Sequence, residues 1–453
     1  MLKLRASVIV AALMLPSALA QAAVWGQCGG TNWVGPTTCA FGSACVYNNA
    51  WFSQCLPVAT TATSAAATTT AKATTVPATS SVAHSTTSAT APASTGFVKA
   101  NGQKFELDGK EYILVGENTY WVGLMGYNTT LMDQGFKDIA ATGATTARTM
   151  GFNEVTSDPG IYVPYYQIWN GSIPTVNTGS NGLQNFDNVV ASAKKNGLRL
   201  IVALTNNWSD FGGSDVYVTQ LLGPNLPHDY FYTNATVIAA YKNYVKTFVT
   251  RYLNEPTILA WELMNEPRCS GSTSVASSSC TPATITNWAT EMSAFIKSID
   301  SNHMVSVGDE GFFNEPDNAN WLYQGTLGVD TVALTNISTI DFGTFHMYPL
   351  GYGQTADPIG FGSQYIADHA AVQKELNKPM ILEEFGVTQP DVDQVTAYTQ
   401  WYKDLIADGL TGDLIWQAGS SFTTNLDDGY EVYPGTAVYD VVTEYAAALK
   451  ARE

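Results

Sequence analysis

The chain is 453 residues long, 45% hydrophobic and only 13% charged, with a formal net charge of −18 at pH 7. That length exceeds what one ordinary domain requires, and the apolar share is ample for a packed core. So acidic a surface repels nucleic acid and anionic membrane, which excludes both as expected partners and favours a neutral or cationic one.

Residues 1–20 have the layout of a secretory signal. Lys3 and Arg5 form the charged end, Ala6 to Leu15 is apolar, and Ala18-Leu19-Ala20 offers a small-residue cleavage site. The apolar run is too short to span a membrane, and no later stretch approaches the length required. The mature protein is therefore expected to be secreted, soluble and extracellular. Sequons at Asn128, Asn170, Asn207, Asn234 and Asn336 are the candidate glycosylation sites.

Residues 24–57 hold Cys28, Cys39, Cys45 and Cys55. So small a unit cannot bury enough apolar surface to fold by burial alone, so disulfides must substitute for a core. Four cysteines allow three pairings, and spacing does not choose among them. The runs Trp25-Gly-Gln-Cys-Gly-Gly, Gly35-Pro-Thr-Thr-Cys and Trp51-Phe-Ser-Gln-Cys55 resemble the fungal family 1 carbohydrate-binding modules over their whole length. That resemblance implies bonds Cys28–Cys45 and Cys39–Cys55, and a flat cellulose-binding face made of Trp25, Trp51 and Phe52. Asn49 and Gln54 would add hydrogen bonds to the same face. Phe52 stands where the family often carries Tyr, which removes a polar contact and keeps the stacking surface.

Residues 58–95 are dominated by Thr, Ala and Ser, with two prolines and almost no charge. Such a segment has nothing to bury and reads as a linker, tethering one module close to the substrate of the other.

From residue 96 to 453 apolar runs alternate with amphipathic segments. Tyr112 to Gly116, Thr145 to Arg148, Leu198 to Leu204, Ile258 to Leu263, Met304 to Val307, Ile340 to Phe345, Pro379 to Glu383 and Gly412 to Trp416 read as strands. Phe186 to Lys195, Val237 to Tyr252, Ile285 to Ile299 and Gln364 to Leu376 read as helices between them. This is the pattern of an α/β fold, a (β/α)8 TIM barrel with enlarged loops. An open doubly wound sheet is the runner-up, but no Gly-rich phosphate or dinucleotide loop opens any helix.

Polar residues gather at the C-terminal ends of these strands, where such barrels place their chemistry. They are Arg148, the run Asn206-Asn207-Trp208, Asn265-Glu266, Asp309-Glu310, His346 and Tyr348, Glu383-Glu384, and Trp416. Two carboxylates on separate strands with Arg, His and Tyr converging are the groups that a retaining glycoside hydrolase needs. One must stay ionised to attack the anomeric carbon, helped by Arg148 and Tyr348. The other, Glu266, must hold a proton for the leaving oxygen, its pKa raised by the charge of its partner. Asn265 can bond the sugar 2-hydroxyl, Trp416 offers a stacking floor, and His346 can tune Glu266.

The same residues carry a family resemblance. Asn265-Glu266-Pro267, His346-Met-Tyr348 and Glu384-Phe-Gly386 resemble family 5 glycoside hydrolases, and Asn207-Trp-Ser-Asp210, Asn265-Glu-Pro-Arg268 and Gly308-Asp-Glu-Gly311 resemble the fungal endo-β-1,4-mannanases within it. The resemblance implies that Glu384 is the nucleophile and Glu266 the acid/base, with Glu383 turned to the other side of its strand. It also implies that Trp121 and Trp208 are sugar platforms and that Arg268 and Glu310 line the cleft away from the scissile bond. Its substrates would be mannan, glucomannan and galactomannan, with cellulose as the anchor of the N-terminal module. Cys269 and Cys280 are expected to pair in an oxidising compartment and pin a Ser-rich loop beside the cleft. No cofactor is required, and the five histidines show no metal-ligand spacing. The protein is expected to be a monomer. The competing readings are an endo-β-1,4-glucanase of the same family and a non-catalytic polysaccharide-binding protein.

Overall fold

The computed structural model describes two units, Met1–Thr90 and Ala91–Glu453. Described are residues 21, 27–29, 34–39, 43–49 and 52–57 of the first, and 96–124, 128–161, 163–424 and 426–451 of the second. The signal reading of residues 1–20, the linker reading of 58–95 and the stacking roles of Trp25 and Trp51 lie outside the described residues. Asn49, Phe52 and Gln54 are described in their backbone only.

In the first unit three antiparallel strands lie in the order Gln27–Gly29, Phe52–Pro57, Ser43–Asn49. The bonds Cys28–Cys45 and Cys39–Cys55 are both formed. Cys28 and Cys55 are buried, so the sulfurs occupy the place of a hydrophobic core.

The second unit alternates strands with helices. The strands are β1 (Leu114–Asn118), β2 (Thr146–Met150), β3 (Arg199–Ala203), β4 (Ile258–Glu262), β5 (Met304–Ser306), β6 (Gly343–Met347), β7 (Met380–Phe385) and β8 (Gly412–Ile415). Each is followed by a helix: α1 (Thr129–Ala141), α2 (Leu183–Lys195), α3 (Ala235–Arg251), α4 (Pro282–Ile299), α5 (Thr331–Thr335), α6 (Pro358–Leu376), α7 (Gln394–Asp408) and α8 (Ala437–Lys450). The strands pair in parallel in the order β5-β4-β3-β2-β1-β8-β7-β6. The two ends of that order meet through Asp341 N to Val305 O (2.9 Å) and His346 N to Glu310 O (3.2 Å), which closes the sheet into a TIM barrel.

Local chemistry explains these elements. Strands covered on both faces must be nearly continuous apolar runs, as Leu-Ile-Val-Ala in β3 and Ile-Leu-Ala-Trp in β4 are. Helices begin where a side chain takes up orphan amides: Asn128 caps α1, Asn234 caps α3, and Asp357 followed by Pro358 opens α6. A three-stranded antiparallel sheet (Lys99–Asn101, Lys104–Leu107, Lys110–Glu111), not foreseen from the sequence, stoppers the N-terminal mouth. Its Phe105 and the neighbouring Val98 pack with Leu114, Ile201, Met304, Ile381 and Leu414 from the strands. This sheet also explains why β1 starts two residues later than expected, because Tyr112 N bonds Phe105 O in the stopper (2.8 Å) rather than a barrel strand.

Several carboxyls lie under the helices, away from any site. Burial, aided by the charges of Asp138 and Asp413, outweighs the Thr142 hydroxyl and pushes Glu117 up to about 8. Asp300 goes the other way: burial alone would raise it, but the His303 contacts hold it at about 2. Between the ordinary 4.5 and 8, the folded protein keeps a proton on Glu117 that the unfolded chain has released. That stability is complete below 4.5 and is lost as pH rises through 8, at about 1.4 kcal/mol per pH unit climbed. Asp300 contributes stability that is present above 3.8 and lost as pH falls through about 2. The melting temperature should therefore be highest near pH 4–5 (about) and decline toward pH 8. In Glu117→Gln a melting series should show a flatter alkaline limb; a limb as steep as in the unsubstituted chain would remove Glu117 from this role.

Candidate active site

An open cleft of about 650 Å³ lies across the C-terminal ends of the strands. Behind the lining residues Asn265 and Glu384 stands Arg148 on β2, a fully buried cation. Nε and Nη2 form a fork on Glu262 at the end of β4 (2.6 and 2.7 Å), and Nη2 also reaches Asn265 Oδ1 (2.7 Å). That leaves Nη1 for Asn118 Oδ1 (3.0 Å) and Glu384 Oε1 (2.5 Å). A guanidinium gripped on one edge presents its other edge at a fixed position, which is what orienting an anion demands. The second oxygen of Glu384 accepts the Tyr348 hydroxyl at 2.7 Å. Burial and the Glu384 charge raise the Tyr348 pKa well above its ordinary value, so it stays a donor.

Glu266 follows β4 in a left-handed conformation, φ +53°, with its N–H on Gly308 O (2.8 Å). Bulky residues seldom adopt such angles unless the surroundings impose them, and they do so mostly at functional sites. Its oxygens meet His346 Nδ1 (2.8 Å) and Trp208 Nε1 (2.5 Å). Burial opposes charge on both members of the Glu266–His346 pair. The carboxylates of Glu384, Glu266 and Glu383 outweigh it for His346 and raise its pKa well above the usual value. His346, Arg268 and Trp208 in turn hold Glu266 down to about 2. In the empty cleft the proton of the pair thus sits on the imidazole. The expectation that Glu266 carries it there is corrected, because the cation beside Glu266 acts more strongly on it than the carboxylate farther off.

Beside this pair, Arg268 grips Glu310 with two hydrogen bonds (2.5 and 2.6 Å) and lies over the rings of Trp208 and Phe312 at 5.0 and 5.2 Å. Burial and the Glu266 charge, against the Arg268 cation, lift Glu310 to about 7. Cys269 and Cys280 are bonded. The loop they close is tied down by Thr273 on Asp215 and Ser277 on Asp229. Asn265 Nδ2 donates to Asn206 Oδ1 (3.0 Å), and Trp416 lines the cleft with its Nε1 on Asp428 (3.1 Å).

Three further expectations change. Trp121 is 3% exposed, its indole N–H on Ala418 O and its ring packed edge-on against Phe422, so it belongs to the core. The cleft is lined instead by its neighbour Tyr120, which stacks on Trp416 at 5.9 Å and 9°. Asn207 is fully buried and is not an acceptor for a glycan. Its Oδ1 takes the Arg268 N–H (3.0 Å) and faces His228 Nε2 (2.8 Å), while its Nδ2 donates to Ser270 O (3.1 Å). Glu383 does not turn to the far face. The β6–β7 register steps from Phe345↔Leu382 to His346↔Glu384, leaving Glu383 as the extra residue of a bulge. Its carboxylate therefore also turns inward, 3.7 Å from Arg148 Nε and 3.4 Å from His346 Nε2, but it is fully buried, whereas Glu384 lines the cleft.

A family model described as "GH family 5 beta-mannosidase-like" matches residues 95–410. The chain belongs to glycoside hydrolase family 5. A second model, a fungal cellulose binding domain, matches residues 24–52. The chain is 40% identical to "Probable mannan endo-1,4-beta-mannosidase F" of Emericella nidulans, over 97% of this chain and 98% of that one. It is 38% identical to "Mannan endo-1,4-beta-mannosidase F" of Aspergillus fumigatus, over 92% and 93%. Among solved structures it resembles the endo-1,4-beta-mannanase of Rhizomucor miehei, with 36% identity and a TM-score of 0.73, over 79% of this chain and all of that one.

Within this family 5 site, the residue overlooked in the sequence is Glu262. An acid inside the run Ile258–Glu262 is costly to bury unless a cation meets it. Arg148, in a strand two places away in the sheet, was the available partner. Glu266, His346 and Glu384 offer ligand atoms within 4.8 Å of one another, but Arg148 already supplies the cation facing Glu384.

Proposed function

We propose that the chain is a secreted, monomeric, endo-acting β-1,4-mannanase that works by double displacement with retention and is anchored to cellulose by residues 24–57. The family 5 match and the mannanase relatives support the substrate class, and the carboxylate spacing carries the retaining mechanism. Oxygens of Glu266 and Glu384 lie within 4.8 Å of one another. That is near the separation of about 5–5.5 Å found in retaining enzymes, and short of the roughly 6.5–9.5 Å that leaves room for a water in inverting ones. The names of the fungal relatives support mannan as the substrate, and glucomannan and galactomannan offer the same β-1,4-mannosidic bond.

Glu384, oriented by Arg148 Nη1 and the Tyr348 hydroxyl, attacks the anomeric carbon as the bond to the glycosidic oxygen breaks. That oxygen takes a proton from Glu266, which receives it across its 2.8 Å contact with His346 as the sugar excludes water. The aglycone leaves as an alcohol and the sugar remains as an ester on Glu384. Water then gives a proton to Glu266 while its oxygen displaces Glu384, restoring both the carboxylate and the original configuration. Asn265, fixed by Arg148 and Asn206, bonds the 2-hydroxyl, and Trp416 floors the same sugar. Trp208, Arg268 and Glu310 bind the departing side. The linker, residues 58–95, keeps the barrel, 96–453, near mannan lying on cellulose. Residues 1–20 direct export, and Asn170 and Asn336, both exposed, are suited to carry glycans. Asn128 and Asn234 use their Oδ1 atoms as helix caps.

Mannose differs from glucose in its axial 2-hydroxyl, so discrimination belongs to the contacts around Asn265. On manno- and cello-oligosaccharides of matched length, kcat/KM should favour mannose by about two orders of magnitude or more. Comparable constants would favour an endoglucanase.

A further inference from the structure

Phe211 is 41% exposed and lines the cleft. Its backbone is left-handed, φ +60°, and Gly212 and Gly213 after it lie at +105° and +79°. The glycines adopt such angles freely, whereas an aromatic residue does so against the clash of its own Cβ. The turn is bolted to buried Glu154. The Glu154 N–H donates to Phe211 O (2.9 Å) and the Gly213 N–H donates to Glu154 Oε2 (3.0 Å). A Cβ on Gly212 would sit 2.6 Å from Glu154 Cβ, so glycine is obligatory there. Packing does not account for Phe211 itself, because two-fifths of it faces solvent and a glycine would fit its backbone better. Strain held in place by its surroundings, with an aromatic ring at the tip, is the signature of a presented group.

The ring has a defined setting. It lies 6.0 Å from Tyr120 at a tilt of 36°, and Tyr120 in turn stacks on Trp416 at 5.9 Å. Three aromatic rings thus run along one wall, beginning at Trp416. Pyranose rings stack on such faces, and successive sugars of an extended chain need successive platforms.

We propose that Phe211 is the outermost platform of this wall and binds a mannosyl unit beyond the one on Trp416, remote from the scissile bond, so that Glu154 and the Gly212-Gly213 turn are its positioning device. This rests on the mannanase reading above and extends it to a preference for longer chains.

The test uses the full-length chain with mannotetraose and mannohexaose. Phe211→Gly removes the ring and relieves the backbone, so its melting temperature should equal or exceed that of the unsubstituted chain. Its kcat/KM for mannohexaose relative to mannotetraose should fall about tenfold, through KM, as expected when one stacking contact is lost. Phe211→Tyr should restore the ratio. An unchanged ratio in Phe211→Gly, or a lower melting temperature with equal loss on both lengths, overturns the proposal. A wild-type chain inert on both oligosaccharides but active on cello-oligosaccharides defeats the mannanase reading instead, and the ligand class with it.

Discussion

Glu384→Ala should lose activity on mannan on the order of 10⁵-fold, because the group proposed to form the covalent intermediate is gone while the binding cleft remains. Glu266→Ala should fall comparably on substrates with poor leaving groups, where protonation of the departing oxygen limits the rate. The two losses differ in how they can be repaired. Azide is small enough to occupy the space of the Glu384 carboxylate, and it should partly rescue Glu384→Ala with a product of inverted configuration. Glu383→Ala should also be impaired, since Glu383 sits 3.4 Å from His346 and 3.7 Å from Arg148, but azide should not rescue it. Rescue of Glu383→Ala and none of Glu384→Ala would reverse the assignment.

Arg148→Met should have the largest effect on stability. The side chain is fully buried and faces Glu262, Glu383 and Glu384. Its pKa is held well above the usual range because these carboxylates outweigh the penalty of burial. Removing it leaves Glu262 buried without its ion-pair partner and takes one cation from Glu383 and Glu384, at a cost of about 3–5 kcal/mol. Urea denaturation should show this as a lower midpoint, together with a loss of activity. Adding Glu262→Gln to Arg148→Met removes one unpaired charge and should recover part of the midpoint without recovering activity. A midpoint unchanged in Arg148→Met would mean that the site is hydrated and its charges screened.

Much of this was legible in the chain, and what was not has identifiable causes. Buried parallel strands are nearly continuous apolar runs, so β3 and β4 could be placed within a residue or two. The stopper sheet at Lys99–Glu111 has short strands, polar on one side, and the periodicity that announces a barrel strand is missing from it. Glu266 and the pair Glu383-Glu384 stood out because each interrupts a strand end with a charge, and the family resemblance chose Glu384. Glu262 did not, because a charge inside an apolar run acquires meaning only once Arg148 is seen to reach it. Choosing between Tyr120 and Trp121 required the 3₁₀ turn Tyr120–Leu124, in which consecutive side chains diverge. The family resemblance pointed to the tryptophan, whereas the turn gives the cleft to the tyrosine. The same limit applies to Glu383, since strict strand alternation puts only one of two neighbours inside and the bulge in β7 brings in both. Asn207 carries a sequon that its burial makes irrelevant, because its amide holds Arg268 and the disulfide-closed loop.

The central claim is that Glu384, and not the inward-facing Glu383 beside it, forms the covalent intermediate. A 2-deoxy-2-fluoro-β-mannosyl fluoride tests it directly, since the electron-withdrawing fluorine slows breakdown of the glycosyl-enzyme and lets it accumulate. Peptide mapping by mass spectrometry after inactivation should place one fluoromannosyl group on Glu384. A label on Glu383, or complete turnover of the reagent with the first product formed in inverted configuration, would contradict the account.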